Sequence, residues 1–177
     1  KDTVLEPLLL GDYKEWEGPI AVDSNLSPEV LKILRYSERF KKSDFRLAPA
    51  SPSKVTRLKM FLDHPGANIY LNLQEANSIS EMEFSSSKKA AAALISNGLN
   101  TVLITDGPNT ACLASKSEII ELRPPTVKVQ KLTGAGDVLM ASHIAKILKG
   151  ENNYQAFKFA IEQTSKFISE DLTNEIN

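Results

Sequence analysis

A chain of 177 residues, with 42% apolar and 24% charged residues, is the size of one domain and can bury a sizeable core. Its formal net charge of −1 gives no electrostatic case for nucleic acid or anionic membrane as a partner, and no basic stripe interleaved with aromatics is present. The single Cys112 excludes an intramolecular disulfide and a cysteine-rich metal site, no apolar run reaches membrane-spanning length, and the Lys1-Asp2 start does not read as a signal peptide, so a cytoplasmic protein is expected.

In chain order, Leu8-Leu9-Leu10 and the polar stretch from Gly11 to Gly18 show little periodicity, and Trp16 reads as a packing residue. Pro19-Ile20-Ala21-Val22-Asp23 reads as a short buried strand ending on a carboxylate. Ser27-Pro28-Glu29 then supplies an N-cap, a first-position proline and an acidic first turn, which start a helix with Val30, Leu31, Leu34 and Ser37 inward. Phe45–Ala48 is a second strand, followed by the proline- and serine-rich loop Pro49–Lys54 and a helix carrying Val55, Leu58, Phe61 and Leu62. Asn68–Leu71 is a third strand. Ser85–Ser87 can cap a helix over Lys88–Asn97 that closes on Gly98. Thr101–Thr105, rich in β-branched residues and bounded by Asn100 and Asp106-Gly107, is the clearest strand. Short strands are expected at Ala111–Ala114, Ile119–Leu122 and Val127–Val129. An amphipathic helix is expected from Asn153, with Phe157, Ala160, Ile161, Thr164, Phe167 and Ile168 on one side and a frayed tail from Asp171.

Between these last elements lies Thr133-Gly134-Ala135-Gly136-Asp137, entering a helix (Val138, Leu139, Ala141, Ile144, Ala145, Leu148) that ends at Gly150. Small residues in a tight turn at a helix start leave amide N–H groups and the positive dipole end exposed, which suits an anion. Asp137 there stays ionised and can accept a proton from a substrate hydroxyl. An ordinary turn with an acidic first-turn residue fits the spacing equally well. The dinucleotide fingerprint does not fit, since its third glycine would fall at Leu139.

Alternating strands and helices imply an α/β layer structure with a parallel sheet, in which ligands gather at the carboxyl ends of strands. Four clusters follow predicted strands: Asp23/Asn25, Ser51/Lys54, Asn72/Glu75 and Thr105/Gly107. Asn72 and Glu75 lie about one helical turn apart, hence on one face, where they could hold the water shell of Mg²⁺. A helix start with an asparagine cap and a solvated glutamate accounts for the same spacing. His64 and His143 lack metal-ligand spacing and read as structural or surface residues.

Thr-Gly-Ala-Gly-Asp entering a helix, with Asn72-x-x-Glu75 upstream after a strand, resembles the signature of the ribokinase-like (PfkB-type) sugar and nucleoside kinases. Thr105-Asp106-Gly107 is similar to the family's Thr-Leu-Gly turn. Ala21–Glu29 and Pro49–Lys54 resemble the Asp-x-Asn-Leu and Pro-x-Ser-x-x-Lys stretches of pseudouridine kinases. Departures are Asp106 in place of an apolar residue, Thr110 and Ser142 in place of glycines, and Lys131 in place of Asp or Asn.

The resemblance implies a three-layer α/β/α fold with a mainly parallel sheet, as a single domain over residues 1–177. It covers the carboxyl-terminal half to two-thirds of such a kinase, with the amino-terminal part and lid lacking a counterpart. It implies ATP and Mg²⁺ as cofactors and transfer of phosphate to the hydroxymethyl (5′-OH) group of a nucleoside or sugar, pseudouridine first. Asp137 would be the base, and the amides of Gly134, Ala135 and Gly136 the anion hole. Thr105, Gly107, Thr133 and Lys131 would approach the nucleotide, and Asn72 and Glu75 would position the metal. The expected partner is a small-molecule nucleoside or sugar, with no nucleic acid and no membrane, and a homodimer is admitted. The competing expectations are a catalytically silent relative that binds nucleotide or a protein, and another PfkB-type sugar kinase.

Overall fold

The computed structural model describes residues 15–169. The apolar Leu8–Leu10 stretch, its passage through Gly11 and the tail from Asp171 lie outside them. Six strands form one sheet in sequential order: β1 (Pro19–Asp23), β2 (Asp44–Ala48), β3 (Ala67–Asn72), β4 (Thr101–Thr105), β5 (Ala111–Ser115) and β6 (Ile119–Leu122). The first four run parallel, β5 is antiparallel to β4, and β6 is antiparallel to β5. The expected mainly parallel α/β sheet is therefore present. Because β1 to β4 are parallel, their carboxyl ends all open on one side, and the four polar clusters follow those ends.

Helices cover both faces. On one lie α1 (Pro28–Tyr36), a 3-10 segment Pro52–Phe61, α2 (Leu73–Ser80) and α3 (Ser87–Ser96). They enclose Leu31, Leu34, Phe45, Leu47, Phe61, Ile69, Val102 and Ile104 in one large apolar core. On the other lie α4 (Ala135–Leu148) and α5 (Asn153–Ser169), packed on each other and over a smaller cluster of Tyr70, Leu103, Leu113, Leu139, Phe157 and Ile161. Period-2 alternation places neighbouring strand residues on opposite faces. Ile69 and Leu71 accordingly enter the large core, and Tyr70 the small one.

Helix starts follow their caps. Ser27 accepts the Val30 amide, Ser86 the Lys89 amide and Asn152 the Gln155 amide. Three sequence expectations change. The strand at Pro19–Asp23 forms, but it is the sheet's edge and only Val22 is buried. The segment after Lys54 is a 3-10 helix, with Lys54 donating to the Ser51 carbonyl three residues back. Val127–Val129 makes no sheet pairing: the chain leaves the ladder after β6 at Arg123-Pro124-Pro125, whose prolines have no N–H to continue it. The chain instead runs to α5, where the Gln130 and Lys131 amides donate to the Ile168 carbonyl. Trp16 is half-exposed and lies against Gly18, a local contact outside the core.

Candidate active site

Asp137 is exposed in the first turn of α4, and Gly134 is that helix's N-cap. Gly134 holds φ +88°, where a side chain would be strained, and a Cβ there would stand 3.3 Å from the Phe167 ring. Glycine is thus required both by backbone conformation and by the approach of α5. At Gly136 a Cβ would meet nothing within 4 Å, so space remains open beside the turn.

Of the three amides expected to form an anion hole, that of Ala135 is already spent on the Leu132 carbonyl at 3.1 Å. Val138 donates to Gly134, so helical bonding begins there. The amides of Gly136 and Asp137, in the first turn, have no carbonyl of a preceding helical turn to meet. They and the dipole end of α4 make this turn electropositive. Thr133 is exposed beside it. Lys131 Nζ lies 3.9 Å from the centre of the Phe167 ring, a cation–π contact that ties the loop to α5, and the same ring borders Gly134.

Asn72 and Glu75 are coupled to each other. Asn72 caps α2, its Oδ1 accepting the Glu75 amide at 2.8 Å, while Glu75 Oε2 accepts the Asn72 amide at 2.9 Å. This capping box explains the spacing without a ligand. Glu75 is nonetheless buried, unlike the solvated glutamate of the alternative reading, and its burial pushes its pKa up against the lowering effect of the Asn72 hydrogen bonds. Among the described residues no three His, Cys, Asp or Glu side chains gather as a metal cage. Oxygen is the donor type Mg²⁺ prefers, so the Asn72 and Glu75 oxygens fit contact with such an ion through its water shell rather than as a cage.

Thr105 pairs in register with Asn72 at the carboxyl ends of β4 and β3. The following turn is organised by Asp106, whose carbonyl and carboxylate accept from Asn109, with Gly107 at φ +54°. Asn72 and Thr105 are thus neighbours. No hydrogen bond or ion pair among the described residues joins Asp137 to them, and the link is the seating of α4 on β2 and β3. The stretches Ala21–Glu29 and Pro49–Lys54 meet in space. Lys54 Nζ donates to Asn25 Oδ1 at 2.8 Å, the Ala50 amide donates to Ser24 Oγ at 2.8 Å, and Asn25 in turn donates to Asp23.

An open depression of about 560 Å³ lies beside α2, lined by Gln74, Asn77, Glu81, Glu83 and Asp106 among others. Three carboxylates there disfavour a polyphosphate, and Asp137 is not part of its wall. The amino end of α4 is the better place for an anion.

The structure also joins residues that local sequence patterns did not connect. Asp44 Oδ2 accepts from Arg46 Nε and Nη2 at 2.9 and 2.6 Å, Arg46 Nη1 donates to the Tyr70 hydroxyl at 3.2 Å, and that hydroxyl lies 2.9 Å from His143 Nδ1. Asn68 donates to the other Asp44 oxygen at 2.6 Å. Burial, and secondarily Arg46, lower the His143 pKa to about 4. Alternation in β2 and β3 puts Asp44, Arg46, Asn68, Tyr70 and Asn72 on one face, but no local signal pairs that face with His143.

The sequence profile described as pfkB family carbohydrate kinase matches residues 4–175. No curated protein matches the sequence. Among solved structures, the carbohydrate kinase from Agrobacterium tumefaciens superimposes with a TM-score of 0.73 at 21% identity, covering 97% of this chain and 52% of that one. Phosphofructokinase-2 from Escherichia coli, in complex with substrates and products, gives 0.76 at 17% identity, over 94% and 55%. The ribokinase of Arabidopsis thaliana, complexed with ribose and ATP, gives 0.73 at 19% identity, over 86% and 50%. The chain spans about half the length of these structures.

Proposed function

The chain belongs to the pfkB family of carbohydrate kinases, and from that premise we propose that it carries the nucleotide side and catalytic turn of an ATP-dependent kinase acting on a hydroxymethyl group. The observation that carries this reading is Asp137, exposed in the first turn of α4 directly after the left-handed Gly134. In that position its carboxylate accepts the proton of the attacking hydroxyl, while the Gly136 amide and the helix dipole stabilise negative charge developing beside it. Thr105 and Gly107 would approach the nucleotide, with Thr133 at the edge of the anion site. When bound, Mg²⁺ neutralises phosphate charge, and Asn72 and Glu75 would hold its water shell.

Pseudouridine is the acceptor we favour. What supports it is that the two stretches resembling pseudouridine kinases are joined through Lys54–Asn25 and Ala50–Ser24 at the carboxyl ends of β1 and β2. Another sugar of the same chemical class fits the fold equally. A silent nucleotide-binding relative is favoured by one observation, the Asp106 carboxylate in the turn assigned to the phosphates.

ATP turnover with Mg²⁺ against pseudouridine, uridine, ribose and fructose 6-phosphate tests the reading. Turnover dependent on one acceptor, lowered in Asp137→Asn by about 10²–10⁴-fold with nucleotide binding kept, is expected. Full activity in Asp137→Asn would remove that residue from the mechanism. Nucleotide binding with no turnover on any acceptor would favour the silent relative.

A further inference from the structure

α4 carries the catalytic turn, yet of its fourteen residues only Leu139 and His143 are buried. One is an apolar contact and the other ends a polar chain that begins at Asp44. The helix rests on β2 and β3, and on the face it covers those strands present Asp44, Arg46, Asn68 and Tyr70. An apolar contact tolerates sliding and rotation, whereas a hydrogen bond to one ring nitrogen does not.

Arginine can only donate. Arg46 therefore occupies a lone pair of the Tyr70 oxygen, and the imidazole tautomer that uses the hydroxyl proton is the one in which Tyr70 donates to His143 Nδ1. The imidazole then carries its own proton on Nε2, which is buried and has no partner in the structure. The ring remains neutral, because its burial, and secondarily the charge of Arg46, disfavours a cation there. The Asp44–Arg46 ion pair of β2 thus orients one hydroxyl of β3 toward one acceptor on α4, and an uncompensated N–H is tolerated to keep it.

We infer that His143 is a positioning residue: the Asp44–Arg46–Tyr70–His143 chain fixes the height and rotation of α4 on the sheet and thereby aims the Gly134–Asp137 turn. The inference rests on the kinase reading for its consequence in turnover, but not for the fastening itself. His143 touches no reacting atom. It acts six residues further along α4, less than two turns from Asp137.

The test compares His143→Leu, which fills the space without an acceptor, with His143→Asn, which keeps an acceptor near the Nδ1 position, and with Tyr70→Phe. Backbone hydrogen exchange is followed over 134–146, with β4 and α5 as internal references, and urea unfolding is measured in parallel. Expected is exchange about tenfold faster in α4 for His143→Leu and Tyr70→Phe, with β4 unchanged and His143→Asn close to the parent. ATP turnover with Mg²⁺ and the preferred acceptor should fall in the same order through kcat, with KM for ATP retained. A simple core role gives the opposite pattern: His143→Leu as stable as the parent or more so, with α4 exchange and kcat unchanged. That result, or acceleration spread evenly over β4 and α5, overturns the inference. Absence of ATP binding by the parent chain would count against the kinase reading, and the exchange data would still decide the fastening.

Discussion

The large core under α1, α2, α3 and the 3-10 segment is almost wholly apolar, whereas the face under α4 is half polar. On the first, Phe45, Leu47, Phe61, Ile69 and Val102 are fully or nearly fully buried and interdigitate across the strands. On the second, a small cluster is bordered by the Asp44–Arg46–Tyr70–His143 chain. Stability scales with apolar area removed from water and with dense packing. Orientation is set by directional bonds whose net contribution is small. The contrast teaches that the fold is held from one side and its candidate site is aimed from the other.

The largest effect is expected on the apolar face. Phe61 is fully buried, with its ring edge-on to Phe45 at 5.0 Å between centroids. Phe61→Ala should cost about 3–5 kcal/mol in urea unfolding, through lost transfer energy and a residual cavity. A cost below about 1 kcal/mol would mean that this face is looser than its burial indicates.

The polar face should show itself by pH. His143 has its pKa lowered to about 4, mainly by burial, and His64 is shifted the same way by burial and Arg35. A histidine held below its unfolded value leaves the unfolded state with more protons. Its contribution is fully present above about pH 6.5 and is lost as pH falls toward 4, on the order of 3 kcal/mol for His143. Urea midpoints between pH 7 and 4.5 should fall, and His143→Leu should flatten part of that acid limb. An unchanged limb in that variant would assign the acid sensitivity elsewhere.

The apolar face was readable in the sequence and the polar one was not, for a physical reason. Val102-Leu103-Ile104 or Ser27-Pro28-Glu29 declares its structure through near neighbours, and all six strands and the helices α1, α3 and α5 follow from such signals. Thr133–Asp137 likewise marked α4 and its turn. Tyr70 and His143 meet across 73 positions of sequence, and Arg46 meets Tyr70 across 24, so no local pattern pairs them. Lys131 was read for its charge, but its Nζ is seated on an aromatic ring contributed by α5. The Asn72-x-x-Glu75 spacing was legible, yet the burial of Glu75 depends on how α2 seats on the core.

Two glycines separate conformational strain from packing at the site. Gly107 (φ +54°) faces open space, so Gly107→Ala should cost about 1 kcal/mol from the left-handed backbone alone. Gly134 (φ +88°) adds the Phe167 ring at 3.3 Å, so Gly134→Ala should cost more and should also shift α5. Equal costs at the two positions would show that the ring yields freely. Thermal unfolding of both variants, with exchange measured over α5, gives the answer.

The smallest stability change is expected at Glu75, the one buried carboxylate among the described residues and an intruder near the apolar face. Burial raises its pKa, opposed by the Asn72 hydrogen bonds. A carboxyl held above its unfolded value favours folding most below about pH 4.5 and loses that contribution as pH rises through the folded value, so at neutral pH the charge is a liability. Glutamine keeps an oxygen to accept the Asn72 amide and removes the charge. Glu75→Gln should therefore leave stability at pH 7 unchanged or raise it by about 0.5 kcal/mol, with the capping box intact. The same variant should lower Mg²⁺-dependent turnover if the carboxylate serves the metal's water shell, because a neutral amide holds such waters less firmly. Unaltered turnover at every Mg²⁺ concentration would reduce Glu75 to a helix cap and leave the metal to the phosphates alone.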